Sequence, residues 1–191
     1  MVNVQELPQD LPEPQDDGGA KHLIGSYLPA IALPSTNGEM IALCALNGTV
    51  VLYAYPMTGR PGIALPDGWD EIPGARGCTP QSCSFRDHMA ELREVGVEHV
   101  LGISTQTSGY QQEAAERLHL PFPLLSDHEL KLQQAMNLPT MTVAIEGQNN
   151  VLLKRLALIA KDGEIKKVFY PVFPPDRNAS DVLEWLKANR L

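Results

Sequence analysis

The chain has 191 residues, of which 43% are hydrophobic and 20% charged, as expected of a globular protein with a full core. Its net charge of −8 comes without any block of basic residues, which argues against nucleic acid or an anionic membrane as a partner. No apolar run reaches the roughly 18 residues of a membrane span, and the N-terminus does not resemble a secretory signal. Three cysteines are too few for a secreted disulfide scaffold, so we expect a cytoplasmic protein.

The N-terminal segment differs in composition from the rest of the chain. Residues 1–20, MVNVQELPQDLPEPQDDGGA, contain five acidic residues, three prolines and no basic residue. This composition predicts an extended or disordered tail, or an arm laid on the surface. We therefore expect an acidic, proline-rich extension over residues 1–20 and a single domain over residues 21–191.

The rest of the chain alternates between strand and helix patterns. Apolar, β-branched and aromatic runs predict strands at residues 39–43, 49–56, 97–104 and 122–127. Apolar residues at helical spacing predict helices at residues 79–95, 108–119, 128–136 and 178–191. Ser108 and Ser180 are the predicted N-caps, and Asp162-Gly163 predicts a hairpin within residues 151–172. This order predicts an α/β fold, a mixed central sheet with helices on both faces. The thioredoxin-like sandwich is the obvious small architecture of that kind, although periodicity alone does not single it out.

A long loop precedes the first of these helices. Residues 57–77, MTGRPGIALPDGWDEIPGARG, are rich in glycine and proline, and long ordered loops in compact domains are usually functional. Arg60 and Trp69 lie in this loop and are candidates for shaping the entrance to a site.

Two of the three cysteines, Cys78 and Cys83, lie five positions apart at the start of the predicted helix. Cys78 meets unpaired N–H groups and the positive end of the helix dipole, and both favour the reactive thiolate. On an intact helix, five residues separate the Cα atoms by about 8.6 Å, with side chains about 140° apart. A disulfide needs Cα atoms within roughly 7 Å. The spacing therefore suits two states, a folded one with a free thiolate and a locally unwound one with a disulfide.

The spacing of the cysteines also allows other interpretations. Cys83 could be a small core residue and Cys78 a bystander. We expect no bound metal, because His88 is the only histidine close by and there is no second cysteine pair to complete four ligands. Cys44, in IALCALNG, is predicted to pack rather than to react.

The residues around the cysteine pair resemble a known family. The matching residues are Tyr55, Pro56, Gly77, Cys78, Thr79, Cys83, Phe85, Arg86 and Asp87. This pattern resembles the atypical two-cysteine peroxiredoxins of the Q, or bacterioferritin-comigratory, type. The resemblance continues through FPLLSD and LLKRLALIAKDGEIKKV and extends over about residues 25–190.

The resemblance implies a thiol-dependent peroxidase that needs no cofactor. Cys78 would attack hydrogen peroxide or an alkyl hydroperoxide, and Arg155 would hold the thiolate and the peroxide oxygens. Cys83 would be the resolving thiol, and thioredoxin or a similar dithiol would reduce the resulting disulfide. The residues implied to contact the substrate are Tyr55, Pro56 and Gly77. The family also suggests a monomer or a weak dimer.

The chain departs from the family in the active-site loop. The family has Thr or Ser three residues before the nucleophilic cysteine, where this chain has Ala75. The family's proline lies seven residues before that cysteine, whereas Pro56 lies 22 residues before Cys78, which indicates an insertion of roughly fifteen residues. Thr58, in YPMTG, is the candidate to replace the missing hydroxyl. The alternative is a plain loop threonine beside the turn at Gly59.

Two other functions remain candidates. The departure at Ala75 and the insertion favour a redox-responsive or chaperone-like interaction protein with little turnover. A thiol–disulfide oxidoreductase acting on proteins fits less well, because that class usually has a CxxC motif. Steady-state turnover with peroxide and thioredoxin separates a peroxidase from a sensor.

Overall fold

The computed structural model describes residues 7, 8, 10–189 and 191. The strands are β1 Ala32–Pro34, β2 Met40–Ala42, β3 Thr49–Ala54, β4 Val97–Ser104, β5 Leu124–Ser126, β6 Thr140–Ile145, β7 Gln148–Leu153, β8 Leu156–Lys161 and β9 Glu164–Phe169. The α-helices are α1 Cys78–Asp87, α2 Met89–Glu94, α3 Ser108–Arg117, α4 Lys131–Met136 and α5 Asn178–Ala188. Within these residues no helix has both the length and the apolar character that a membrane crossing demands.

A five-stranded mixed sheet with the order β5-β4-β3-β8-β9 forms the centre of the fold. Strands β3, β4 and β5 run parallel, whereas β8 and β9 are antiparallel to their neighbours. Strand β3 is buried along its whole length, as expected of a strand covered on both faces. Apolar residues of α1, α2 and α5 cover one face, and those of α4 cover the other. The predicted mixed α/β sandwich is confirmed.

The predictions made from local sequence patterns were confirmed for one strand and one hairpin and were wrong for one helix. Strand β4 has the predicted bounds, and Asp162 and Gly163 join β8 to β9 with positive φ angles, as a tight hairpin turn requires. The single helix predicted over residues 79–95 is wrong, because the backbone leaves the helical region at His88, where φ is −92° and ψ is 5°. Helices α1 and α2 lie on either side of that break.

The predicted helix caps are also wrong. The cap of α3 is Thr107, whose hydroxyl accepts a hydrogen bond from the Tyr110 N–H at 3.4 Å, and Ser108 is the first helical residue. Ser180 lies inside α5 and donates its hydroxyl proton to the Arg177 carbonyl at 2.8 Å. Helix α3 thus begins at the serine that was predicted to cap it, and α5 begins two residues before its predicted cap.

A second hairpin lies apart from the main sheet and was not predicted. Strands β6 and β7 pair antiparallel and are joined at Glu146 and Gly147, both with positive φ. The strand expected to begin at residue 151 is therefore divided, with residues 151–153 in β7 and residues 156–161 in β8. The polar residues 148–150 at the start of β7 conceal this strand from a hydrophobicity pattern.

Cys44 is exposed, so the prediction that it packs is wrong. A 3-10 turn over Leu43–Ala45 buries Leu43 in the core. The tight turn leaves the next side chain pointing to solvent.

The described part of the N-terminal extension lies against the protein. Asp17 accepts hydrogen bonds from Lys154 Nζ at 2.6 Å and from the Tyr170 hydroxyl at 2.8 Å. Ala20 is buried in the core, and the Leu7 side chain lies beside the backbone that precedes α1. Residues 1–6 and 9 of the predicted extension lie outside the described residues, and its boundary at residue 20 stays a prediction.

Candidate active site

Helix α1 begins at Cys78, directly after the long loop. Gly77 has a φ angle of 103°, in the left-handed region that favours glycine. A Cβ atom on Gly77 would lie 2.3 Å from Pro175 Cγ, so a side chain has no room at this position. The glycine lets the chain turn sharply and start the helix with the cysteine in its first turn.

The sulfur of Cys78 is enclosed and lies next to a guanidinium group. Only 3% of Cys78 is exposed, and its Sγ donates to the Ala75 carbonyl at 3.5 Å. Arg155 Nη2 donates to Sγ at 3.3 Å. Arg155 lies between β7 and β8 and is buried, whereas the neighbouring Lys154 lies at the surface beside Asp17. The structure therefore brings together Cys78 and Arg155, two residues singled out in the sequence.

Arg155 also holds the last turn of the loop. Its Nη2 lies 3.2 Å from the Gly74 carbonyl, 3.1 Å from that of Ala75 and 3.0 Å from that of Arg76. Three successive carbonyl oxygens thus surround one end of the guanidinium. The loop immediately before Cys78 takes its shape partly from this side chain.

Two further residues continue this network and were missed in the sequence. Arg155 Nη1 donates to Gln81 Oε1 at 2.5 Å, and Gln81 Nε2 donates to Asn178 Oδ1 at 2.8 Å. Gln81 is fully buried and lies three residues after Cys78, hence on the same side of α1. This three-residue spacing from Cys78 could have identified Gln81 from the sequence. Asn178 lies 97 residues farther along, and no local pattern indicated it.

Cys83 lies on the same helix and is half-buried, and all three cysteines are free thiols. Burial raises the pKa of the Cys83 thiol, and the charge of Arg86 partly opposes that rise. Because α1 is intact from Cys78 to Asp87, its geometry holds the two sulfur-bearing residues apart.

Thr58 is buried and is held by Gln106. Its hydroxyl and its N–H donate to Gln106 Oε1 at 3.1 and 3.0 Å, and Gln106 Nε2 donates to the Thr58 carbonyl at 3.2 Å. Within the described residues no hydrogen bond joins Thr58 to the sulfur of Cys78. The catalytic role of Thr58 therefore stays a prediction.

Tyr55 and Pro56 are both buried at the end of β3. The Tyr55 hydroxyl accepts a hydrogen bond from Gln111 Nε2 at 3.3 Å, and burial raises the pKa of the phenol. Of the three residues predicted to contact substrate, only Gly77 lines the small space beside Cys78. A substrate contact by Tyr55 or Pro56 also stays a prediction.

The space beside Cys78 has a volume of about 10 Å³. Three side chains of the long loop line this space together with Cys78, namely those of Met57, Leu65 and Trp69. Trp69 was a sequence candidate for this position, whereas Met57 and Leu65 were not.

The chain is similar to several known proteins in sequence and in structure. The redoxin family model matches residues 23–184. Peroxiredoxin Bcp of Escherichia coli (strain K12) is 32% identical over 168 residues, covering 85% of this chain and 94% of that protein. The chloroplastic peroxiredoxin Q of Arabidopsis thaliana is 31% identical over 166 residues, covering 86% and 67%. The crystal structure of peroxidoxin BcpB from Mycobacterium tuberculosis has a TM-score of 0.69 at 27% identity, covering 88% and 98%.

These similarities include relatives above 30% identity that are matched over most of their length. They do not favour a redox-responsive protein without turnover, because the matched proteins are named as peroxiredoxins. The chain therefore belongs to the redoxin family and, within it, to the peroxiredoxin Q and Bcp group of thiol-dependent peroxidases.

Proposed function

We propose that Cys78 is the nucleophile of this peroxidase, that Arg155 binds the peroxide and that Cys83 is the resolving thiol. The observation that carries the proposal is the 3.3 Å contact between Arg155 Nη2 and Cys78 Sγ. A buried guanidinium beside a thiol at the start of a helix supplies donors for a sulfur anion and for a developing oxygen anion. The same group can therefore assist both the attack and the departure of the leaving oxygen.

The first step oxidises Cys78. The thiolate sulfur attacks the terminal peroxide oxygen, so that an S–O bond forms while the O–O bond breaks. Cys78 becomes a sulfenic acid, and the departing hydroxide or alkoxide takes up a proton to leave as water or an alcohol. Both electrons come from the sulfur, so the step needs no other redox group.

The second step forms a disulfide. The Cys83 thiol condenses with the sulfenic acid on Cys78 and releases water. The start of α1 must unwind first, since residues five apart on an intact helix are about 8.6 Å apart at Cα, beyond the reach of a disulfide. A dithiol of the thioredoxin type then reduces the disulfide and becomes a disulfide itself.

The setting proposed for this cycle is the cytoplasm, with the protein as a monomer or weak dimer. A low cysteine content suits a compartment where thiols stay reduced. The substrates proposed are hydrogen peroxide and small alkyl hydroperoxides, and no nucleic acid or membrane takes part.

Peptide mapping by mass spectrometry after one equivalent of hydrogen peroxide tests the assignment of the cysteines. The reduced protein should yield a Cys78–Cys83 disulfide that is absent from Cys78→Ser. Cys83→Ser should stop at a sulfenic acid that dimedone traps. Cys44→Ser is the matched control, because Cys44 is exposed outside the site, and it should keep full turnover.

Two results would contradict the assignment. Sulfinic acid at Cys78 with Cys83 still free would mean that the resolving thiol lies elsewhere. If both thiols survive while a control peroxidase is oxidised, Cys78 is not the nucleophile.

A further inference from the structure

The loop before Cys78 folds back over the sulfur. A 3-10 turn over Trp69–Glu71 places the indole where only 3% of the residue is exposed. Met57, Leu65 and Trp69 line one small space together with Cys78, which is itself only 3% exposed. The loop thus narrows the approach to the sulfur, and its apolar side chains form much of the lining.

The space that remains is close to the size of one solvent molecule. A volume of about 10 Å³ approaches the roughly 10–15 Å³ that a single water requires. Hydrogen peroxide exceeds a water molecule by one oxygen atom and needs only a slight movement of the lining side chains. An organic hydroperoxide with a branched or aromatic group cannot reach the sulfur unless the loop withdraws.

Both ends of the loop are anchored. At its start the Gly59 carbonyl accepts a hydrogen bond from Arg117 Nη2 on α3 at 3.0 Å. Near its end Arg76 Nη1 lies 3.3 Å from Asp70 Oδ1, which ties the 3-10 turn to the residues just before Cys78. These anchors hold the loop in the closed position.

The middle of the loop is held by apolar packing. Trp69 forms a buried cluster with Ala75, with Val143 of β6 and with Leu152 of β7. Withdrawing Trp69 would expose this cluster to water, which opposes opening. The hairpin β6–β7 therefore serves as the support on which the loop rests.

We propose that residues 57–76 form a lid and that Trp69 makes the enzyme selective for small peroxides over bulky organic hydroperoxides. The proposal rests on the role proposed above for Cys78 as the nucleophile. Trp69 is a specificity-determining residue, because its side chain occupies the volume that the organic group of a larger substrate would need.

The test compares kcat/KM for hydrogen peroxide with kcat/KM for cumene hydroperoxide at a saturating dithiol concentration. The unaltered protein should prefer hydrogen peroxide. Trp69→Ala should shift the ratio towards cumene hydroperoxide by about tenfold or more, the scale on which pocket volume controls selectivity. Trp69→Phe keeps an aromatic ring and should retain most of the preference.

Two further variants serve as a control for truncation of a tryptophan and as a second test of the lid. Trp185→Ala makes the same truncation in α5, against the core rather than the lid, and should leave the ratio unchanged. Leu65→Ala removes a half-buried lid side chain and should shift the ratio in the same direction as Trp69→Ala, by a smaller factor. Because it removes less of the buried cluster, it also serves if Trp69→Ala does not fold.

Alkylation tests the lid independently of turnover. In a Cys44→Ser, Cys83→Ser background only Cys78 can react, and its labelling by iodoacetamide can be compared with labelling by a fluorescein maleimide. Trp69→Ala should accelerate the bulky reagent about tenfold more than the small one. The lid proposal would be overturned if Trp69→Ala and Leu65→Ala both fold and neither the kcat/KM ratio nor the ratio of labelling rates changes. Size-selective labelling of Cys78, combined with no oxidation of Cys78 by peroxide in the otherwise unaltered protein, would instead support the lid and refute the role of Cys78 as nucleophile.

Discussion

Arg155 Nη1 donates a hydrogen bond of 2.5 Å to Gln81 Oε1, and this bond crosses from the β7–β8 connection to helix α1. Gln81 lies between Cys78 and Cys83 on that helix. Its amide also donates to Asn178 at the start of α5. The part of α1 that must unwind for disulfide formation is thus tied to two other elements.

Removing the hydrogen bonds of Gln81 should favour unwinding of the start of α1. Gln81→Met keeps the length of the side chain but leaves the hydrogen-bonding groups of Arg155 and Asn178 without their partner. We expect the free energy of unfolding to fall by about 1–3 kcal/mol, because buried polar groups lose their bonds. We also expect faster disulfide formation and less sulfinic acid at high peroxide. Urea unfolding and mass spectrometry measure these effects.

Gln112→Met is the control for Gln81→Met, since Gln112 is exposed on α3 and its loss should change little. Slower disulfide formation in Gln81→Met would show that Gln81 assists the condensation instead of restraining the helix.

The guanidinium of Arg155 should matter for the peroxide step. Arg155→Met should lower the second-order rate of Cys78 oxidation by about 10²–10³-fold, the usual effect of losing one donor to a developing anion. Arg155→Lys should recover little, because it lacks the planar fork of donors. Competition kinetics against a known peroxidase measures the rate. Lys154→Met changes the neighbouring, surface-facing cation and should leave the rate unchanged. A rate within threefold of normal in Arg155→Met would exclude peroxide binding by Arg155.

Thr58→Val and Thr58→Ser separate a catalytic hydroxyl from a structural one. Valine removes the hydrogen bond to Gln106, and we expect a stability loss of about 1 kcal/mol. If Thr58 replaces the hydroxyl missing at Ala75, valine should also lower the rate of Cys78 oxidation by about tenfold, less than the loss of the charged Arg155. Serine should retain both properties. An unchanged oxidation rate in a less stable Thr58→Val protein would identify a plain loop threonine.

The contact between Asp17 and Lys154 should make stability depend on pH at the acid end. The hydrogen bond from Lys154 and then that from Tyr170 lower the pKa of Asp17 below its ordinary value of 3.8. A carboxyl whose pKa falls on folding stabilises the protein above its unfolded pKa and loses that effect as pH falls through the folded value. The contribution is therefore complete at pH 7 and fades below about pH 4.

Asp17→Asn tests this dependence. We expect it to reduce the free energy of unfolding at pH 7 by less than about 1 kcal/mol, because the pair is half-exposed and solvent screens it. The difference from the unaltered protein should shrink as the pH falls below 4. Asp16→Asn, one position earlier, is the matched control. A difference that grows towards acid pH would contradict the assigned sign.

Features that depend on near neighbours along the chain could be predicted from the amino-acid sequence. The bounds of β4 follow from a continuous apolar run, and the hairpin at Asp162-Gly163 follows from turn chemistry; both act over a few residues. The placement of Cys78 and Cys83 on one helix likewise follows from helical spacing. The break at His88 and the polar start of β7 escaped detection because their local patterns are weak.

The distant residues that meet at the site became known from the three-dimensional fold and could not be predicted from the sequence. The bonds from Gln81 to Asn178 and from Thr58 to Gln106 join residues 97 and 48 positions apart, and no periodic pattern encodes them. The closure of the lid over Cys78 likewise depends on a hairpin whose apolar cluster holds Trp69. Local patterns reflect steric preferences over one or two turns of chain. The entropy cost of closing a long loop changes little with loop length, so it does not select among distant partners. Packing in the folded protein makes that selection instead.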